Sequence, residues 1–248
     1  MEWLNDNASS LVDRLPQFAD GIWVTVLLTV LGAAGAFVIA IVFGLASGHR
    51  SAPLRTVSRV FVEFFRGTSL LVQIFWLFYV LPLLGWELEP LACGVLALAL
   101  NYGAYGAEVV RGSIASVPRG QYEAISALSL SPVRGMVRVI FPQAWALMLP
   151  SLTNLLIQLL KGTAIVSFIT LHDLYFQISQ LRKDTGTWFA FGIGLLVYFL
   201  LAYALTLIMN ALEIRAKHAL GRGPSLRDSL GTLLRPVDAM PSEGKVAT

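Results

Sequence analysis

Apolar residues fill five long blocks of the chain, and the segments between them gather most of the charge. The blocks cover residues 21–48, 67–86, 90–107, 139–160 and 185–212. Each approaches or exceeds the roughly 17–25 residues that a helix needs to cross hydrocarbon. The pattern predicts an all-α integral membrane protein with about five transmembrane helices. Residues 1–20 are polar and read as a short external tail, and residues 21–215 as the transmembrane domain. Residues 216–248 carry Gly221, Gly223, Pro224, Pro236 and Pro241 among scattered charges. Such a composition cannot bury a core and reads as a disordered cytoplasmic tail.

Polar residues interrupt the third and fourth blocks at helical spacing. Ser151, Asn154, Gln158 and Lys161 fall at i, i+3, i+7 and i+10, which places them on one face of the fourth helix. Asn101, Tyr105 and Glu108 do the same on the third, and Gln73 lies in the second. Two readings stay open. Such stripes can hydrogen-bond neighbouring helices, or they can line a polar path for a zwitterionic solute, which needs donors and acceptors through the bilayer. Lys161 sits roughly one hydrocarbon thickness from Pro142, so it is either a path residue or a cation snorkelling to the outer interface. Glu63 with Arg66 and Glu108 with Arg111 are i, i+3 pairs read as structural ion pairs.

The segment between the third and fourth spans, 113–141, has its own punctuation. Ser116 is placed to cap a short helix that begins near Pro118. Residues 129–132, Ser-Leu-Ser-Pro, then break the chain, and Ser131 and Pro132 start a second short helix that reaches about Ile140, ahead of Pro142. Two short helices and a turn can dock as a knob into a groove on a partner. They can equally lie on the inner leaflet, held by Arg119, Arg134 and Arg138.

Composition supports the membrane reading and charge orients it. The chain has 248 residues, 56% hydrophobic and only 13% charged, against roughly a quarter charged in an ordinary soluble domain. Of the 18 Lys and Arg residues, all but Arg14, Lys161, Arg182 and Lys183 fall on one set of inter-span segments. Basic residues concentrate on the cytoplasmic side, so the N-terminus is expected outside and the C-terminus in the cytoplasm. Glu2, Asp6 and Asp13 precede the first apolar run, which therefore lacks the basic start of a signal peptide and is expected to be retained. Cys93 is the only cysteine, excluding an internal disulfide. The +3 net charge flanks spans and forms no basic face interleaved with aromatics, so nucleic acid is not an expected partner. No GxxxxGK[ST] sequence occurs, so no P-loop cradles a nucleotide here.

Glu123-Ala124 followed by Val139-Ile140-Phe141-Pro142 resembles the EAA loop of ABC importer permeases in its spacing, with Ile125, Ser129, Val139 and Phe141 departing from the usual residues. Ser129 stands where that loop has glycine. Residues 21–25, Gly-Ile-Trp-Val-Thr, 65–73, Phe-Arg-Gly-Thr-Ser-Leu-Leu-Val-Gln, 108–112, Glu-Val-Val-Arg-Gly, and 161–163, Lys-Gly-Thr, extend the resemblance to the polar amino acid permease family over about residues 18–215. Within that family the chain looks most like ectoine and hydroxyectoine uptake permeases. The resemblance implies the type I ABC importer permease (MetI-like) architecture in a bacterial cytoplasmic (inner) membrane. It implies a cytoplasmic ABC ATPase dimer that carries ATP and Mg, an extracytoplasmic solute-binding protein, a second permease copy or paralogue, and surrounding lipid. It carries an ATPase-coupling role to Gly120, Glu123, Ala124, Ala127, Ser129 and Pro142. No cofactor, metal or catalytic residue is expected on the chain, which would be a transport subunit and not an enzyme. The substrate-path candidates are Gln73, Asn101, Tyr105, Ser151, Asn154, Gln158 and Lys161.

Two rival classes have weaker support. A membrane-embedded enzyme would have to use Glu108, His172 and Asp173, which lack metal-ligand spacing. An ion-coupled secondary transporter would show paired internal repeats, and no repeat is visible within five spans.

Overall fold

The computed structural model describes residues 2–219, with side chains described from residue 7 to 218. Helix α1 (Glu2–Asp13) precedes α2 (Leu15–Ser47), and α3 (Ala52–Gly67) leads by a sharp elbow into α4 (Leu70–Phe75). A π-helical turn (Trp76–Val80) and a 3-10 turn (Leu81–Leu84) complete that limb. Then come α5 (Pro90–Ala115), the short α6 (Arg119–Ala127) and α7 (Pro132–Gly135). A π-turn (Met136–Ile140) joins α7 to α8 (Phe141–Gly162). A 3-10 segment (Thr163–Ile169) leads to α9 (Leu174–Thr185) and the last helix, α10 (Thr187–Ala219). Four helical runs are long and apolar enough to cross a membrane, and the bent α3–α4 limb makes a fifth if counted as one span.

The first, third, fourth and fifth crossings fall where the apolar blocks place them. The second differs. α3 and the limb from Leu70 to Leu84 meet at 100°, so the apolar block 67–86 is not one straight helix. α3 folds back beside the inner end of α2: the Ser58 hydroxyl donates to the Phe43 carbonyl at 2.7 Å, and Phe43 stacks on Phe61 at 3.8 Å. Its Leu54, Val57, Val60 and Phe64 stay exposed as an apolar row, the habit of a helix lying in the interface. The external tail is also more ordered than its polar composition suggests, because α1 packs on α9 and Arg14 pairs with Asp184 at 2.5 Å. The tail expected from residue 216 begins within α10, and its part from residue 220 on lies outside the described residues.

Small residues let α2 and α5 approach closely, as expected where lipid offers no hydrophobic drive between helices. A Cβ on Gly103 would lie 2.7 Å from Ile39, and one on Gly106 2.7 Å from Ala40. Gly44 presses on Val110 in the same way. Around this seam, Leu28, Ile74, Leu98, Leu159 and Val166 form one buried cluster, and Ala40, Val110, Ile140 and Met148 form a second toward the inner end. α10 packs on α8 and α9 and leaves most of its apolar surface exposed.

Candidate functional site

The elbow after α3 frees backbone carbonyls inside an apolar setting, where each unsatisfied group costs several kcal/mol. Three of the polar residues singled out in the sequence answer that need. The Gln73 amide donates to the Phe65 carbonyl at 3.0 Å and to the Thr68 hydroxyl at 2.7 Å. The Asn101 amide donates to the same Phe65 carbonyl at 3.1 Å. The Tyr105 hydroxyl donates to the Arg66 carbonyl at 3.3 Å. Gln73, Asn101 and Tyr105 thus brace the elbow from α4 and α5.

Arg66 lies over the Tyr105 ring, 5.3 Å from its centroid. The expected Glu63–Arg66 pair does not form: no ion pair to Glu63 occurs among the described residues, because the chain turns at Gly67 and Arg66 finds the ring instead. The Glu108–Arg111 pair is present, with Arg111 Nη2 donating to Glu108 Oε2 at 2.7 Å.

The α8 stripe behaves differently. Ser151, Asn154, Gln158 and Lys161 are all exposed on one face, and none of their side chains hydrogen-bonds among the described residues. Beside this row α8 is anchored to α5, where the Tyr102 hydroxyl donates to the Gln158 carbonyl at 2.9 Å and a Cβ on Gly162 would lie 2.6 Å from the Tyr102 hydroxyl oxygen. Hydrogen bonding between this chain's own helices therefore does not account for the stripe, whereas it accounts for Asn101 and Gln73.

At the other end of the spans, α6 buries none of its residues. The Tyr122 hydroxyl donates to the Ile114 carbonyl at 2.9 Å, and Gln143 donates to Gln121 at 3.1 Å. A Cβ on Gly135 would lie 2.6 Å from Ile125, so only glycine lets α7 sit so close to α6. Ser116 is not the cap of α6: Pro118 takes that position, and the Ser116 hydroxyl turns back to the Gly112 carbonyl at 2.9 Å.

The end of α6 is a Schellman turn. Leu130 N–H reaches the Ile125 carbonyl at 3.1 Å and Ser129 N–H reaches Ser126 at 3.1 Å. Ser129 has φ +50°, the left-handed conformation that glycine adopts without cost. Past the turn, Pro132 starts a helix that runs on through the π-turn into α8, with Pro142 in the first turn of α8. The knob is thus one free helix joined to the root of the fourth span, not two separate short helices. Glu123, Ala124, Ala127 and Gly120 are exposed on it, beside exposed Leu128, Val133 and Val137.

Glu108, His172 and Asp173 do not converge. Glu108 is bound to Arg111 on α5. His172 stacks on Phe176 at 4.2 Å, and fully buried Asp173 caps α9 by accepting from Phe176 N–H at 3.0 Å. Burial pushes the Asp173 carboxyl up to about 7, against the pull of backbone hydrogen bonds from Phe176 and Tyr175. No group of three or more potential metal ligands occurs among the described residues.

Residues 40–218 match the family described as binding-protein-dependent transport system inner membrane component. A probable amino-acid ABC transporter permease of Sinorhizobium fredii (strain NBRC 101917 / NGR234) is 43% identical over 210 residues, covering 81% of this chain and 87% of its own. The L-cystine transport system permease of Bacillus subtilis (strain 168) is 34% identical over 202 residues, covering 81% and 86%. Among solved structures, a chain from an amino acid ABC transporter with histidines superposes with a TM-score of 0.76 at 32% identity, covering 83% of this chain and 97% of that one. A chain of the inward-facing MetNI methionine ABC transporter shares the fold at a TM-score of 0.72 and 18% identity, covering 82% and 98%.

Proposed function

The chain belongs to the family of binding-protein-dependent transport system inner membrane components, and on that premise we propose that it carries a polar amino acid, or an amino-acid-derived zwitterion such as ectoine or hydroxyectoine, inward along the α8 stripe. It is an integral inner-membrane permease subunit of an ABC importer and not itself an enzyme. Permeases of this family work with an ATPase and a solute-binding protein.

The observation that carries the substrate path is the exposed row Ser151, Asn154, Gln158 and Lys161. Intramembrane polar side chains face a water-filled cavity or another polar surface, because lipid cannot satisfy them. A path shared with a second permease copy or a paralogue meets that need. Asn154 and Gln158 offer both donors and acceptors, and Lys161 offers a cation for a carboxylate. The amino-acid and L-cystine permeases named above favour a substrate carrying both ammonium and carboxylate groups. Gln73, Asn101 and Tyr105 enter this reading as supports of the elbow beside the path.

Coupling is assigned to α6 and its turn. Gly120, Glu123, Ala124 and Ala127 offer an exposed charged and apolar face to a cytoplasmic ATPase dimer, which supplies ATP and Mg. Ser129 and Pro142 fix the angle between that face and α8.

The test reconstitutes the complete importer in vesicles with its binding protein and measures solute uptake. Uptake is expected to require ATP, and to fall at least tenfold in Asn154→Leu and Gln158→Leu while solute affinity of the binding protein stays unchanged. Full uptake by both variants would remove the path from α8. Uptake driven by an ion gradient without ATP would overturn the import mechanism itself.

A further inference from the structure

Between α2, α8 and α10, over α5, lies an open, apolar groove of about 400 Å³. It exists because α10 packs on α8 and α9, while the facing residues of α2 are alanines apart from Phe37 and do not bridge the gap. Ala36, Ala40, Trp145, Leu152, Met209 and Leu212 line it. The Tyr102 hydroxyl on its wall is already engaged with the Gln158 carbonyl.

Size and charge point to one occupant. A helix about 10 Å across that spans some 30 Å of hydrocarbon has several times this volume, so a partner's helix could lie over the slot but not fill it, whereas a single flexible chain fits inside. Its cytoplasmic end is marked by Trp145, set edge-on to Phe37 at 5.8 Å. An indole there sits naturally at headgroup level. Two cations continue the lining helices past this point. Arg215 lies one turn beyond Leu212 on α10, and Arg138 lies about two turns before Trp145 on the α7–α8 run. Both are exposed, and neither pairs with a carboxylate among the described residues. The inner leaflet is the anionic one, and basic residues at its surface attract such lipids.

We propose that this groove is a binding site for one anionic phospholipid, with an acyl chain against the α2 alanines and the phosphate between Arg138 and Arg215. The site does not depend on the substrate path or on ATP coupling. A bound lipid would fill the gap between α10 and α2, and would tie the fifth span to the first.

Native mass spectrometry of the intact importer, purified from vesicles of phosphatidylglycerol and phosphatidylcholine, tests it. One phosphatidylglycerol per permease is expected to survive purification. Ala34→Phe, which fills the groove from its exposed edge, should reduce retention at least fivefold, and Arg138→Gln/Arg215→Gln should abolish the preference for phosphatidylglycerol. As a second measurement, phosphatidylglycerol with brominated chains should quench the part of the fluorescence that Trp145→Phe removes, more strongly than brominated phosphatidylcholine does. Equal retention and quenching by both lipids in the unaltered protein would overturn the proposal. So would stoichiometric cross-linking of Ala34→Cys to a neighbouring polypeptide, which would show a protein in the groove.

Discussion

Ser129 is the residue where a sequence departure becomes a structural cost. Its φ of +50° is the conformation for which a Cβ is penalised by about 1 kcal/mol. Ser129→Gly should therefore stabilise the detergent-solubilised protein by about that amount, raising the midpoint of thermal unfolding by about 2–4 °C for a chain of this size. A lower midpoint would mean that the Ser129 side chain supports the turn in some other way. The position was legible because the motif's spacing located it, whereas the work of Asn101 and Gln73 was not, since nothing in a helical pattern announces that Phe65 will present a bare carbonyl to them.

Asp173 gives the second expectation at this scale. Its folded carboxyl titrates at about 7, well above the roughly 3.9 of an unfolded aspartate. The folded state thus holds a proton that the unfolded chain has released, and stability is greatest below the unfolded value and declines as pH rises toward 7. Asp173→Asn keeps a side-chain oxygen for the Phe176 N–H and removes the titration. Thermal midpoints measured from pH 5 to pH 8 should fall in the unaltered protein and stay nearly level in the variant. Parallel profiles would show that Asp173 does not carry the dependence.

Among the elements, the apolar blocks located every crossing but misjudged the shape of the second. Composition reports how apolar a stretch is, while the bend at Thr68 depends on α3 folding back along α2 and on three side chains from elsewhere. The α2–α5 seam has the same character: its glycines are visible in the sequence, but not which side chains they admit. Gly106→Val would drive a branched side chain into Ala40, already 2.7 Å from the first added carbon. Overpacking of this kind costs about 1–3 kcal/mol. Cysteine-reactivity measurements should then show Cys93, fully buried beside Leu98 and Ala97, becoming labelled faster at a fixed temperature. Unchanged labelling would show that the seam relaxes without opening.

At the scale of the whole molecule, the arrangement that matters is the continuity between the cytoplasmic knob and the polar stripe. α7, the π-turn and α8 form one run from Pro132 to the outer end of the fourth span, and α6 is strapped to the end of α5 by the Tyr122 hydroxyl. In the proposed coupling, a push on α6 would reach two helices at once, one bearing the stripe and the other bracing the elbow. Spacing placed the knob in the sequence, but the strap depends on Tyr122 meeting a carbonyl eight residues upstream, which no motif encodes. Tyr122→Phe removes one hydrogen bond and little volume, so the complex should assemble and hydrolyse ATP at a near-normal rate when the loaded binding protein is added. If force passes through the strap, solute moved per ATP should drop several-fold, because α6 then shifts without carrying α5. A proportional fall in both hydrolysis and transport would place Tyr122 in docking instead, and an unchanged ratio with unchanged rates would show that the α7–α8 run alone transmits the motion.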